Sequence, residues 1–291
     1  MKLLSKFLLL FFIGNLSCYS QVVLSDDKIN VFILAGQSNM TGAADASNLS
    51  KVDLKDLENA KENVSFVYNG KEAVPLNVTI PADWKKKKFQ LDSCFGPEIF
   101  FGIELSKKHP NKKFLFIKRA LGGASLYGCW NPNWTKEKAQ YVNELNRPKL
   151  FHELLTDVDR ELSKYDKSDY QIMAMLWVQG ESDSGQRWGP LPSDTYFENL
   201  KNLINKSRAA FKYPKMPFLI MQVGSKKIGQ AMKSVSNELK NVIFIPQSKD
   251  RYSDNFLSRR EDNIHYNYIG MKKISNLFLN NFNSINNKYN Q

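Results

Sequence analysis

A chain of 291 residues that is 42% hydrophobic and 24% charged can bury a sizeable core, which excludes a disordered or fibrous protein. Its 41 Lys and Arg outnumber 29 Asp and Glu, giving a formal net charge of +12. The basic residues are scattered over helical segments, and the one tight run, Lys85–Lys88, has no repeated aromatic platform around it, so the charge predicts a solvated surface or attraction to acidic polymers and no nucleic-acid partner.

The first twenty residues stand apart. Lys2 and Lys6, an apolar run from Phe7 to Ile13, and small or polar residues up to Ser20 have the layout of a secretory signal peptide. The run is too short to span a bilayer. Cleavage after Ser20 leaves one domain over 21–291 with a net charge of +10, in a secreted or periplasmic location. Anchoring as a lipoprotein through Cys18 is the alternative, although Asn15 stands where such a signal wants Leu. No later segment is long and apolar enough to cross a membrane. Without Cys18 an even pair is left, Cys94 and Cys129, for which an oxidising compartment favours a disulfide. Closing so long a loop contributes roughly 3–4 kcal/mol; two separate thiols are the other reading.

Strand and helix patterns then alternate. Apolar runs at 29–36, 113–123, 171–180, 218–224 and 241–248 are near-continuous in Val, Ile, Leu and Phe, as in a parallel sheet covered on both faces. Helical patterns cover 97–108 and 147–165, each with Pro in its first turn, then 193–211, about 228–240, and 268–282. The prediction is a single doubly wound α/β domain with a mainly parallel five-stranded sheet and helices on both faces. Residues 43–95 read as an irregular insertion near the site, with short strand-like pieces such as "NVSFVYNG".

In such sheets ligands bind beyond the carboxyl ends of the strands. There the first strand delivers Gln37, Ser38 and Asn39; the second, Gly122, Gly123, Ala124 and Ser125; the third, Gln179, Gly180, Glu181 and Asp183. A serine needs a base, and the base needs an orienting group. Of three histidines, His109 and His152 fall on helical surfaces, whereas His265 follows Asp262 by three residues on the loop before the last helix. Asp-x-x-His lets Asp262 accept from Nδ1 and leaves Nε2 for Ser38; alone, the pattern more often reads as an Asp cap with a surface histidine. Glu181 and Asp183, two apart after a strand, more often brace loops than serve as a glycosidase pair. No cluster has metal-ligand spacing, and "ALGGAS" lacks the lysine of a phosphate loop.

The stretches "GQSNM", "LGGASLYGCW", "WVQGESDS" and "DNIH", in that order, resemble the sequence blocks of SGNH-type esterases. They are most similar to the sialate O-acetylesterase-like domain and to carbohydrate esterase family 6, the acetylxylan esterases. "FGPEIFFG" also resembles the family's first helix, and the likeness runs from about Ile29 to Met271. The resemblance implies an SGNH, flavodoxin-like fold and a carbohydrate O-acetylesterase with Ser38 as nucleophile, His265 as base and Asp262 as its partner. It implies oxyanion donors at Ser38, at Gly123 (with Gly122 adjacent) and at the Gln179 side chain, with Ser182 the competing third position. Trp130, Trp134 and Trp188 follow these blocks and suit sugar stacking or local packing alike. The implied partner is an acetylated poly- or oligosaccharide, and no cofactor or metal is required. The alternative is a glycan-binding module on the same fold that has lost activity. Activity is expected to rise with the titration of His265 at about 6.5, a midpoint that Asp262 would raise by stabilising the imidazolium.

Overall fold

Eight-residue runs with no charge on either face, such as INVFILAG, can only be satisfied by burial on both sides. In the computed structural model, which describes residues 23–288, that run is the middle of the molecule. The leader expected over 1–20, Cys18 included, lies outside the described residues.

The first half runs β1 (Ile29–Gly36), α1 (Ser38–Thr41), β2 (Ala44–Asp45), α2 (Lys51–Ala60), β3 (Val64–Tyr68) and β4 (Val74–Pro75). It continues through α3 (Asp83–Phe89), β5 (Cys94–Phe95), α4 (Glu98–Lys108), β6 (Lys113–Ala120) and α5 (Lys136–Tyr141). Then come α6 (Leu150–Leu162), β7 (Tyr170–Val178), α7 (Glu181–Ser184), α8 (Leu191–Asp194) and α9 (Tyr196–Phe211). The chain closes with β8 (Phe218–Met221), α10 (Lys226–Glu238), β9 (Val242–Ile245) and α11 (Tyr268–Lys288).

The main sheet has seven strands in the order β4-β3-β6-β1-β7-β8-β9, two more than the sequence predicts. All pairs are parallel except β3 with β4. The extra strands come from the stretch 43–95, so this segment is not merely irregular. It contributes β3 to the sheet, α2 to one face and α3 to the site.

Alternate residues of the sheet face two helical layers. Phe32 meets Phe101 of α4 at 5.0 Å and Phe282 of α11 at 5.1 Å, both edge-on. On the opposite face Trp177, paired in register with Ala35, donates its indole N–H to Tyr196 of α9. Truncating a buried aromatic such as Phe32 to Ala costs about 3–5 kcal/mol.

β1 lies between β6 and β7, where the chain reverses its direction of travel across the sheet, and the crevice at their carboxyl ends is the predicted ligand site. Gly36 makes that point possible. A Cβ there would lie 2.1 Å from the Val178 carbonyl oxygen, so only glycine lets β1 turn against β7. A second anchor is fully buried: Lys118 of β6 reaches Glu98 Oε2 at 2.6 Å, while Glu98 Oε1 accepts the Gly96 N–H. Breaking such a pair by removing one partner costs about 3–5 kcal/mol.

Candidate active site

Ser38 is the first residue of α1, immediately past β1, and is buried to 5% relative exposure. As the first helical residue, its N–H has no intrahelical acceptor. The flanking amides fix the turn. Gln37 Oε1 accepts the Ser182 N–H at 3.1 Å and that of Gly180 at 3.4 Å, joining the end of β1 to the loop after β7. Asn39 Nδ2 donates to Glu181 Oε1 at 2.7 Å and to the Ile264 carbonyl at 3.2 Å, and its Oδ1 accepts the Tyr266 N–H at 3.1 Å.

Ile264 and Tyr266 flank His265, so Asn39 places the histidine loop beside the serine turn. His265 Nδ1 lies 2.7 Å from Asp262 Oδ2, and Asp262 Oδ1 accepts the N–H groups of Ile264 and His265, each at 3.0 Å. Burial works to raise the Asp262 carboxyl, but those N–H groups and the imidazole together bring it down to about 2. It is a carboxylate at any ordinary pH. For His265 burial is the largest influence and lowers its pKa; Lys85 and Lys88 push the same way, against the Asp262 bond. A neutral imidazole with Nδ1 held by a carboxylate presents Nε2 as an acceptor, as a general base requires. No hydrogen bond links Ser38 to His265 in the described structure; catalytic pairs of this kind often tighten only in the substrate complex.

Gly122 abuts the serine: a Cβ built on it would be 3.8 Å from Ser38 Cβ and 3.4 Å from the Trp84 ring. Gly123 follows with φ +67°, and Arg147 donates to the carbonyls of both glycines, which fixes this turn. Buried carboxylates brace the loop beyond. Asp183 accepts the N–H of Leu126 at 2.8 Å and of Tyr127 at 2.9 Å; Glu144 accepts those of Ser125 and Cys129. Burial pushes the Asp183 carboxyl up to about 7 against its three N–H donors.

A profile of the family described as "Carbohydrate esterase, sialic acid-specific acetylesterase" matches residues 28–284, almost the whole described chain. The chain belongs to that family. It is an esterase hydrolase acting on acetyl esters. A comparison with curated proteins found no match. Among solved structures, a protein from Arabidopsis thaliana is 18% identical, with 88% of this chain and 98% of that one covered and a TM-score of 0.64. A carbohydrate acetylesterase from Xanthomonas citri is 14% identical, with 85% and 54% covered and a TM-score of 0.50. At such identities these likenesses show the fold alone, a mainly parallel sheet covered by helices.

Three expectations about the esterase need correction. Gln179 does not face the reaction site. It is fully buried, and its amide donates to Asp183 Oδ2 at 2.6 Å, the Ala124 carbonyl at 3.1 Å and Gln37 Oε1 at 3.2 Å, while Oε1 lies 3.1 Å from the Tyr196 hydroxyl. It holds the Gly-Gly loop and the serine turn from below. Trp130 is also fully buried, edge-on to Trp177, with its N–H on the Gly36 carbonyl; it packs the core beneath the site and offers no sugar face. Cys94 and Cys129 are free, buried thiols: Cys94 lies beside Thr79 in the β5 region, and Cys129 beside Glu144. Trp188 is half-buried with Arg187 over its ring, and Trp134 is likewise covered by Lys149. Ser182 bonds to the serine turn through its backbone N–H on Gln37.

Sequence reading passed over α3. Lys85, taken as part of a solvated run, is buried and donates to Thr41 Oγ1 at 2.6 Å and to the Gly42 carbonyl at 2.5 Å. Burial lowers it to about 8. Lys88 stands 3.6 Å from Asp262, Phe89 meets the His265 ring edge-on at 5.2 Å, and Trp84 is 48% exposed beside Gly122. This helix therefore touches the serine turn and the histidine loop together. Among the described residues no group of His, Cys, Asp or Glu is placed to hold a metal ion, and no helix is long and apolar enough to cross a membrane.

Proposed function

We propose that this esterase is exported and removes acetyl groups from glycan hydroxyls through an acyl-enzyme formed on Ser38. Ser38 Oγ attacks the acetyl carbonyl carbon as His265 Nε2 takes its proton. The oxyanion is held by the N–H groups of Ser38 and of the Gly122–Gly123 turn, with Gly123 the assigned donor. The tetrahedral species collapses, His265 returns the proton to the departing sugar oxygen, and acetyl-Ser38 is left. Water, deprotonated by His265, then attacks the acetyl group, releases acetate and restores the serine. Asp262 orients the imidazole and stabilises its protonated form. Trp84, exposed beside Gly122, supplies an aromatic face for the sugar ring that carries the acetyl group.

The observation that carries this reading is the Asp262–His265 bond at 2.7 Å on a loop that is bonded to Asn39, the residue next to Ser38. Export rests on Lys2, Lys6 and the apolar run Phe7–Ile13 at the chain start. Acetate release from acetylated xylan, acetylated pectin, O-acetyl sialic acid and an aryl acetate tests the reading. Release from the aryl ester and at least one glycan supports it. Release from none identifies a glycan-binding module without activity.

A further inference from the structure

Beyond the carboxyl ends of β8 and β9 the surface opens into a cleft of about 1060 Å³. Lys226, Lys233, Lys249, Arg251 and Arg259 line it, and no Asp or Glu does. All five are exposed, and none has a carboxylate partner among the described residues. The contrast with lysines on α9 and elsewhere on α10 is informative. Lys201 of α9 pairs with Glu238, and Lys227 of α10 pairs with Asp194, both outside the cleft. Chance scattering of lysines over a basic surface does not account for five unpaired cations gathered around one concavity. A cleft of one charge sign with low-dielectric walls concentrates the field and recruits ligands of the opposite sign.

The cleft also adjoins the reaction site. Arg259 Nη1 donates to the Asn263 carbonyl at 3.0 Å, one residue from Asp262, and both residues line the cleft. Arg259 further lines a second depression of about 570 Å³ with Lys88, Arg260 and Asp262 itself. The two depressions share Arg259; Glu261 and Asp262 also line the second, so the surface is mixed in charge at the histidine loop and cationic across the ends of β8 and β9. Its remaining lining suits a sugar chain, with the amides of Gln222 and Gln247 and the rings of Phe244 and Phe256. Its volume lies just above the roughly 300–1,000 Å³ of a pocket for one small molecule.

We infer that this cleft is a subsite for a carboxylated glycan chain, in which the acetylated sugar sits at Ser38 and the carboxylates of neighbouring sugars are held by Arg259, Lys249, Arg251 and the α10 lysines. The inference rests on the carbohydrate-esterase reading above and narrows its substrate to acidic glycans. Carboxylates are matched by exposed cations one by one, each contact contributing modestly, so affinity accumulates along a chain and falls with salt.

The test titrates the full-length mature protein with unacetylated oligogalacturonate, a sialyl oligosaccharide, a neutral xylo-oligosaccharide and a single-stranded DNA oligonucleotide, at low and raised salt. Binding of a carboxylated oligosaccharide that weakens with salt, with none to the neutral one, is the expected result; the first two arms tell which carboxylated sugar is preferred. The triple variant Lys233→Gln, Lys249→Gln, Arg251→Gln should keep its thermal melt. It should lose about tenfold in affinity for that ligand, and a similar factor in its preference, by kcat/KM, for acetylated acidic over acetylated neutral polymer. Equal binding of neutral and carboxylated chains, an unchanged triple variant, or tighter binding of DNA than of either acidic glycan overturns the inference. Wild-type protein that hydrolyses an aryl acetate yet shows no carboxylate preference contradicts the subsite alone, whereas failure on every ester contradicts the reading beneath it.

Discussion

Asn39 Oδ1 accepts the Tyr266 N–H at 3.1 Å, so the residue after Ser38 is bonded to the residue after His265. The same side chain donates to Glu181 and to the Ile264 carbonyl, clasping His265 from both sides. Asn39→Ala should therefore lower kcat strongly with KM little changed, and reduce stability by about 1–3 kcal/mol because buried partners are left unpaired. Asn39→Asp should be worse than Ala, since it sets a second carboxylate against Glu181. Steady-state kinetics and thermal melts check both; an Asp variant as active as wild type contradicts the clasp.

Burial, aided by Lys85 and Lys88, lowers the His265 pKa below its ordinary 6.5, so the midpoint expected from sequence moves to more acid pH. The base acts when neutral. Activity should rise as pH climbs through a midpoint below 6.5 and stay level above it. Asp262→Asn removes the charge that raises His265, so the residual activity should titrate lower still while kcat at neutral pH drops. A wild-type kcat/KM profile with its midpoint above 6.5 contradicts this account.

Gln179 separates two roles that sequence alone could not. An oxyanion donor should lose roughly 10²–10³ in kcat on replacement by Ala, with the fold intact. A buried clamp should lose stability as well. With its amide bonded to Asp183 and Ala124, Gln179→Ala should lower the melt by an amount equivalent to about 1–3 kcal/mol, together with kcat. An unchanged melt with the full kcat loss would return Gln179 to the oxyanion site.

The tryptophans divide in the same way. Trp130→Ala should cost about 3–5 kcal/mol of stability, as a fully buried aromatic does. Trp84→Ala should leave the melt near wild type and raise KM for acetylated polymer severalfold more than for an aryl acetate. Equal KM changes on the two substrates would remove Trp84 from sugar binding.

These contrasts mark where the sequence was readable. The five apolar runs became β1, β6, β7, β8 and β9 because two-sided burial writes itself into composition. β3, the five residues VSFVY within a polar stretch, carries too short a pattern to reveal that it pairs with β6, fifty residues away. Asp262 and His265 were legible since three residues within one turn fix their contact locally. Gln179, Trp130 and Lys85 were not, because their surroundings are made by distant segments: Tyr196 for the first, Trp177 for the second, Thr41 for the third. The cysteines failed for the same reason. Their even count said nothing about whether the β5 region and the Glu144-braced loop bring two thiols together.

The central claim is that Ser38 is the acylated nucleophile, and the most direct measurement is covalent labelling. A serine-directed organophosphonate, followed by peptide mapping, should place one label on Ser38 and abolish acetate release in proportion to labelling. Ser38→Ala should take no label, show no esterase activity and melt close to wild type, because a short hydroxyl at the sheet edge contributes little to packing. A label on any other serine, or a Ser38→Ala variant that still releases acetate at the wild-type rate, would contradict the account.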